Sequence, residues 1–88
     1  MVPGAYIEQS IEASFIKRAY QFSQVSLATG GQGYKLQSLN RAESRVVAGT
    51  QVRLYCLAIK NNSPQNIIIT VFEDLDGKYE LVSIEIES

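Results

Sequence analysis

At 88 residues the chain can bury one hydrophobic core and is too short for two, so a single domain over residues 1–88 is expected. Hydrophobic residues at 45% exclude a disordered chain, and eight basic against nine acidic residues, with no basic run longer than Lys17-Arg18, argue against nucleic acid as a partner. A lone cysteine, Cys56, precludes an intrachain disulfide, and the absence of histidine leaves that thiol without the base a Cys-His nucleophile requires.

From Ile7 the apolar residues Ile11, Phe15, Ala19 and Phe22 recur every three or four positions, with Ile16 and Tyr20 beside them. That period predicts an amphipathic helix over residues 8–26. Glu8 and Glu12 in its early turns and Lys17 and Arg18 further along suit the helix dipole, and Gly30-Gly31-Gln32-Gly33 stops it.

The texture then becomes β. Tyr34 to Val47 reads as extended, with a bulge between Leu36 and Leu39, whose three-residue spacing breaks strict alternation. Gln51 to Lys60 alternates, and Val52, Leu54, Cys56 and Ala58 are expected to face the helix. Asn61 to Asn66 reads as a hairpin loop, and Ile67 to Phe72 as a β-branched strand. Asp76-Gly77 forms a tight turn before Tyr79 to Glu87, in which Val82, Ile84 and Ile86 should point one way. One helix followed by antiparallel strands joined through short loops is an α+β arrangement, with the sheet wrapped on the apolar stripe of the helix.

Between the first two long strands lies Arg45-Val46-Val47-Ala48-Gly49. It is similar to the first hairpin loop of the cystatins, patterned Gln-x-Val-x-Gly: Val47 and Gly49 match, and Arg45 stands where the family has Gln. The similarity extends along nearly the whole chain, through Gly4, the long helix, Tyr34-Lys35-Leu36 and two further hairpin strands. Met1-Val2-Pro3-Gly4 resembles the start of the stefins, the cystatins without disulfides, and Val71 to Gly77 resembles their second hairpin, with Asp76-Gly77 in place of Pro-Gly. Tryptophan and paired cysteines, marks of the secreted cystatins, are absent. The chain thus resembles a stefin-like member of the cystatin superfamily, while the spacing of Tyr34 to Gly49 is also similar to that of insect cystatins; either resemblance implies a cystatin-like grasp of one long helix on a four- to five-stranded antiparallel sheet.

The resemblance implies a reversible, tight-binding inhibitor of papain-like, cathepsin-type cysteine proteases and not an enzyme. Three segments would form a wedge for the protease cleft: Val2, Pro3 and Gly4; Arg45, Val46, Val47, Ala48 and Gly49; and Leu75, Asp76 and Gly77. Val46, Val47 and Leu75 would anchor it, Val2 and Pro3 would fill apolar subsites, and Gly4 and Gly49 would let backbone approach the partner. The guanidinium of Arg45 is expected to snorkel to the rim. The active form would be a monomer, with arm exchange through the first hairpin loop as a route to a dimer. The competing reading is a cystatin-fold interaction or structural module without inhibitory activity.

Other motifs carry less. Glu73 to Gly77 lacks the ligand spacing of a calcium loop, and the glycine-rich stretch follows a helix where a phosphate cradle would open one, so no cofactor is expected. Cys56 reads as a small buried hydrophobe, and Asn61-Asn62-Ser63, a glycosylation pattern, as a turn. No apolar run approaches the ~20 residues of a membrane span. Met1 is followed by Val-Pro-Gly where a secretory signal would begin its basic and apolar regions, so a cytoplasmic location is expected, although a mature secreted chain would read the same way.

Overall fold

The computed structural model describes residues 4–87. In chain order the elements are β1 (Ile7–Gln9), α1 (Ser14–Thr29), β2 (Tyr34–Val47), β3 (Gly49–Lys60), β4 (Ser63–Glu73) and β5 (Tyr79–Ile86). The strands form one antiparallel sheet in the order β1-β2-β3-β4-β5, with α1 packed across one face.

The helix begins later than its period suggests. Ile7 to Gln9 pair instead with Ser44 to Ala42 of β2, and Gln9 Nε2 donates to the Ser44 hydroxyl at 3.0 Å. A turn at Ser10, where Ser10 O accepts from Ala13 N, then redirects the chain into α1. Glu8 and Glu12 therefore lie outside the helix, and Ile7 is 54% exposed. The ladder bonds offered by the edge of β2 outweigh a weak local preference. The buried stripe of α1 is Ile16, Ala19, Ser23 and Leu27, flanked by half-buried Phe15, Tyr20 and Phe22. Ile16 is fully buried, a contribution of about 1.5–3 kcal/mol. Ser23 is tolerated there because its hydroxyl donates to Ala19 O at 2.9 Å.

Alternation set the inner face of the sheet correctly. Val52, Leu54, Cys56 and Ala58 of β3 and Ile67, Ile69 and Val71 of β4 are all buried in the core that α1 covers. The register of β2 against β3 shifts between Leu36 and Ser38 and again between Leu39 and Arg41, so the expected bulge is a double one.

Two expectations fail at the strand ends. The Asn61 to Asn66 segment is not a six-residue loop: Asn61 and Asn62 alone make the turn, at φ 52° and 62°, and β4 starts at Ser63. Asparagine tolerates this left-handed pair, so pairing resumes at once. In β5 the register slips between Thr70 and Val71, which leaves Val82 as the extra residue and 46% exposed. Beyond that bulge the phase reverses, so Leu81 and Tyr79 join Ile84 on the core side, and Tyr79 stacks on Phe22 of α1 with centroids 5.3 Å apart.

Candidate functional site

Antiparallel pairing gathers distant segments at one end of the sheet. β2 and β3 close around Ala48, with Val47 opposite Gly49, and Thr50 lies opposite Glu73, so the β2–β3 and β4–β5 turns share that end. Because β1 runs against β2, the chain leading back from Ile7 through Tyr6 to Gly4 heads for the same turn. Gly4, Val46 to Gly49 and Leu75 to Gly77 are thereby brought together, whereas Val2 and Pro3 lie outside the described residues. Val46, Val47 and Leu75 are 75%, 43% and 83% exposed, which makes an apolar edge left open by the described residues.

The second turn is built by a residue the sequence reading overlooked. It is not a two-residue Asp-Gly hairpin. Asp74 Oδ1 accepts from the backbone N–H groups of Asp76 and Lys78, both at 2.9 Å, while Asp74 N donates to Lys78 O and Gly77 N to Asp74 O. Gly77 takes φ 81°, the left-handed residue that such a turn needs. Asp74 thus holds the loop with Leu75 projecting from it. The spacing Asp-x-x-Gly was the available signal.

Gly49 is required by the packing of the fold itself. It is buried at φ 125°, and a Cβ there would meet Glu73 O at 2.5 Å and the Phe72 ring at 2.7 Å. Its hydrogen lets the first turn seat directly on the end of β4, beside the second turn. Gly4, at φ 82°, has open space where a Cβ would stand.

Arg45 does not snorkel to the rim. It is half-buried: its Nε donates to Gln51 Oε1 at 2.7 Å, its Nη1 reaches Gly4 O at 3.4 Å, and its Cζ lies 4.7 Å from the centroid of the Tyr6 ring. The physical reason is that cross-strand Gln51 and the ring of Tyr6 offer the guanidinium an acceptor and a π face without full desolvation. Arg53 lies closer still to that ring, at 3.6 Å, and pairs with Glu43 Oε1 at 2.9 Å. Glu43 also takes the Tyr55 hydroxyl at 2.7 Å and Arg41 at 3.0 Å, and Arg41 extends the chain of contacts to Glu8 at 2.9 Å. The hydrogen bond to Glu43, followed by burial, holds the Tyr55 phenol above its ordinary pKa. None of Tyr6, Glu43, Gln51 or Arg53 had been singled out from the sequence. Alternation from the turn at Ala48 would have aligned Arg45 with Gln51 and Glu43 with Arg53, but only the folded arm supplies Tyr6.

Cys56 is buried in the core, and burial pushes its thiol up to about 12, which keeps it protonated and unreactive near neutrality. Among the described residues no group of three or more His, Cys, Asp or Glu side chains is placed to hold a metal ion, and no helix is long and apolar enough to cross a membrane.

No protein-family model matches the chain, and no curated protein matches it in sequence. Among solved structures, a salivary cystatin from the soft tick Ornithodoros moubata superposes with a TM-score of 0.76 at 14% identity, over 99% of this chain and 100% of the tick protein. The fold is cystatin-like: one helix on a five-stranded antiparallel sheet.

Proposed function

We propose that the chain is a reversible, tight-binding inhibitor of papain-like, cathepsin-type cysteine proteases, of the stefin-like kind, and not an enzyme. The observation that carries this reading is the convergence of Gly4, the Val46–Gly49 turn and the Leu75–Gly77 turn on one end of the sheet, with Val46, Val47 and Leu75 exposed along it. The likeness of fold to a tick cystatin supports it. A groove-shaped partner closing over this edge would bury on the order of 600–900 Å² per side, with three apolar side chains as central anchors.

Inhibition is occlusion. The arm, with Val2 and Pro3 ahead of Gly4, occupies the subsites that a substrate would fill, and the two turns block the remainder without presenting a scissile bond to the thiolate. The active form is a monomer, because exchanging arms between copies would open the β2–β3 turn.

Steady-state titration of papain with the purified protein tests the reading. Inhibition well below micromolar concentration is expected, weakened at least tenfold by Leu75→Asp, since Leu75 is 83% exposed and the new carboxylate would be desolvated in the complex. Absence of inhibition at micromolar wild-type protein would favour the non-inhibitory module.

A further inference from the structure

We infer that Arg45 is a positioning residue for the N-terminal arm, holding it against the β2–β3 turn through Tyr6 and the backbone of Gly4. This inference rests on the proposed inhibitory site for its consequence, though not for its geometry.

The last ladder pair of β1 is Ile7 with Ser44, so residues 4–6 lie beyond the sheet pairing. What fixes them are side chains. The Tyr6 ring meets two guanidinium groups, those of Arg53 at 3.6 Å and Arg45 at 4.7 Å, and Arg45 Nη1 reaches the carbonyl of Gly4. At 3.4 Å that hydrogen bond is long, and the stack on Tyr6 is the stronger tie.

The two arginines are not equivalent. Arg53 is neutralised by Glu43, which Arg41 and Tyr55 also engage. Its Nε is buried without an oxygen partner among the described residues and belongs to the group that lies over Tyr6, so the ring is the partner open to it. Arg45 pairs with no carboxylate among the described residues. Among the described residues its guanidinium meets Gln51 Oε1, the Gly4 carbonyl and the Tyr6 ring, and two of those three belong to the arm. Lifting the arm would strip Arg45 of them, and losing Arg45 would free the Gly4 carbonyl and leave the Arg53–Tyr6 stack as the side-chain tie to the hairpin that carries Val46 and Val47. A lysine could not replace it, because a point charge cannot stack on the ring while its fork bonds Gln51.

An arm already aimed along the turn binds without first being ordered, and an affinity falls by the fraction of time the competent conformer is absent. Arg45→Ala should therefore weaken papain inhibition about tenfold in the full chain, yet less than twofold when Val2→Asp has already disabled the arm. Equal losses in both backgrounds would overturn the inference. A second readout needs no protease: backbone amide order parameters of Ala5 and Tyr6 should fall from about 0.85 to below about 0.6 in Arg45→Ala and Tyr6→Ala, remain high in Tyr6→Phe, and stay unchanged in β3. Order parameters at Ala5 and Tyr6 that ignore Arg45→Ala would refute the positioning role. If wild-type protein fails to inhibit papain, the inhibitory reading falls and these order parameters alone decide the role of Arg45.

Discussion

Gly49→Ala is the substitution whose outcome the structure constrains most tightly. Two costs add at this position. The residue sits at φ 125°, where a non-glycine backbone is strained by about 1–3 kcal/mol. The new methyl would also lie 2.5 Å from Glu73 O and 2.7–2.9 Å from the Phe72 ring. The ring can turn aside, but the carbonyl belongs to β4 and moves only with the strand, so overpacking adds about 1–3 kcal/mol. A combined loss near 3–4 kcal/mol is a large fraction of the ~5–10 kcal/mol that stabilises a domain of this size. Urea and thermal unfolding should show it, the latter as a fall in Tm of about 12–30 °C. Gly77→Ala is the control: its φ of 81° carries the backbone penalty of about 1–2 kcal/mol, but its added Cβ meets nothing within 4 Å. If the two variants unfold within about 0.5 kcal/mol of each other, the packing argument for Gly49 is wrong.

Two further outcomes concern stability alone. The Cys56 thiol, raised by burial from 9.0 to about 12, keeps its proton in the native state while the unfolded chain loses it. Its contribution is therefore fully present below about pH 9 and declines as pH rises toward 12, by up to ~1.4 kcal/mol per pH unit. Urea midpoints at pH 8 and pH 10.5 should diverge more in the wild type than in Cys56→Ala, and identical divergence would contradict the assignment. Asn62→Val places a β-branched residue at φ 62° in the β3–β4 turn and should destabilise by about 1–2 kcal/mol in the same assay, whereas Asn40→Val, at an exposed bulge position of β2, serves as the comparison.

Within the proposed site, Val47 and Gly49 were visible as a pattern, while the reason for Gly49 was not. Its glycine identity answers to Phe72 and Glu73, more than twenty residues away, and no local rule connects them. Arg45 is the sharper case. Read alone, it was a charge at the base of a loop and belonged in solvent; in the fold it is occupied by Gln51 across the ladder and by Tyr6 from another strand's approach. Asp74 was passed over beside the more familiar Asp76-Gly77, though its carboxylate organises the whole turn.

Period and punctuation were enough to place one helix, four long strands, the bulge after Leu36 and the inward set Val52, Leu54, Cys56 and Ala58, because burial of alternate or every third-to-fourth side chain is a local regularity written into consecutive residues. Tertiary pairing decided the rest: that Ile7 to Gln9 leave the helix for the edge of β2, that a slip at Val82 reverses the side-chain phase of the last strand, and that Arg45 meets the arm at Tyr6 and Gly4. Each depends on which groups a distant segment presents, since an unsatisfied ladder edge or an uncovered charge is settled by whatever the folded chain brings to it.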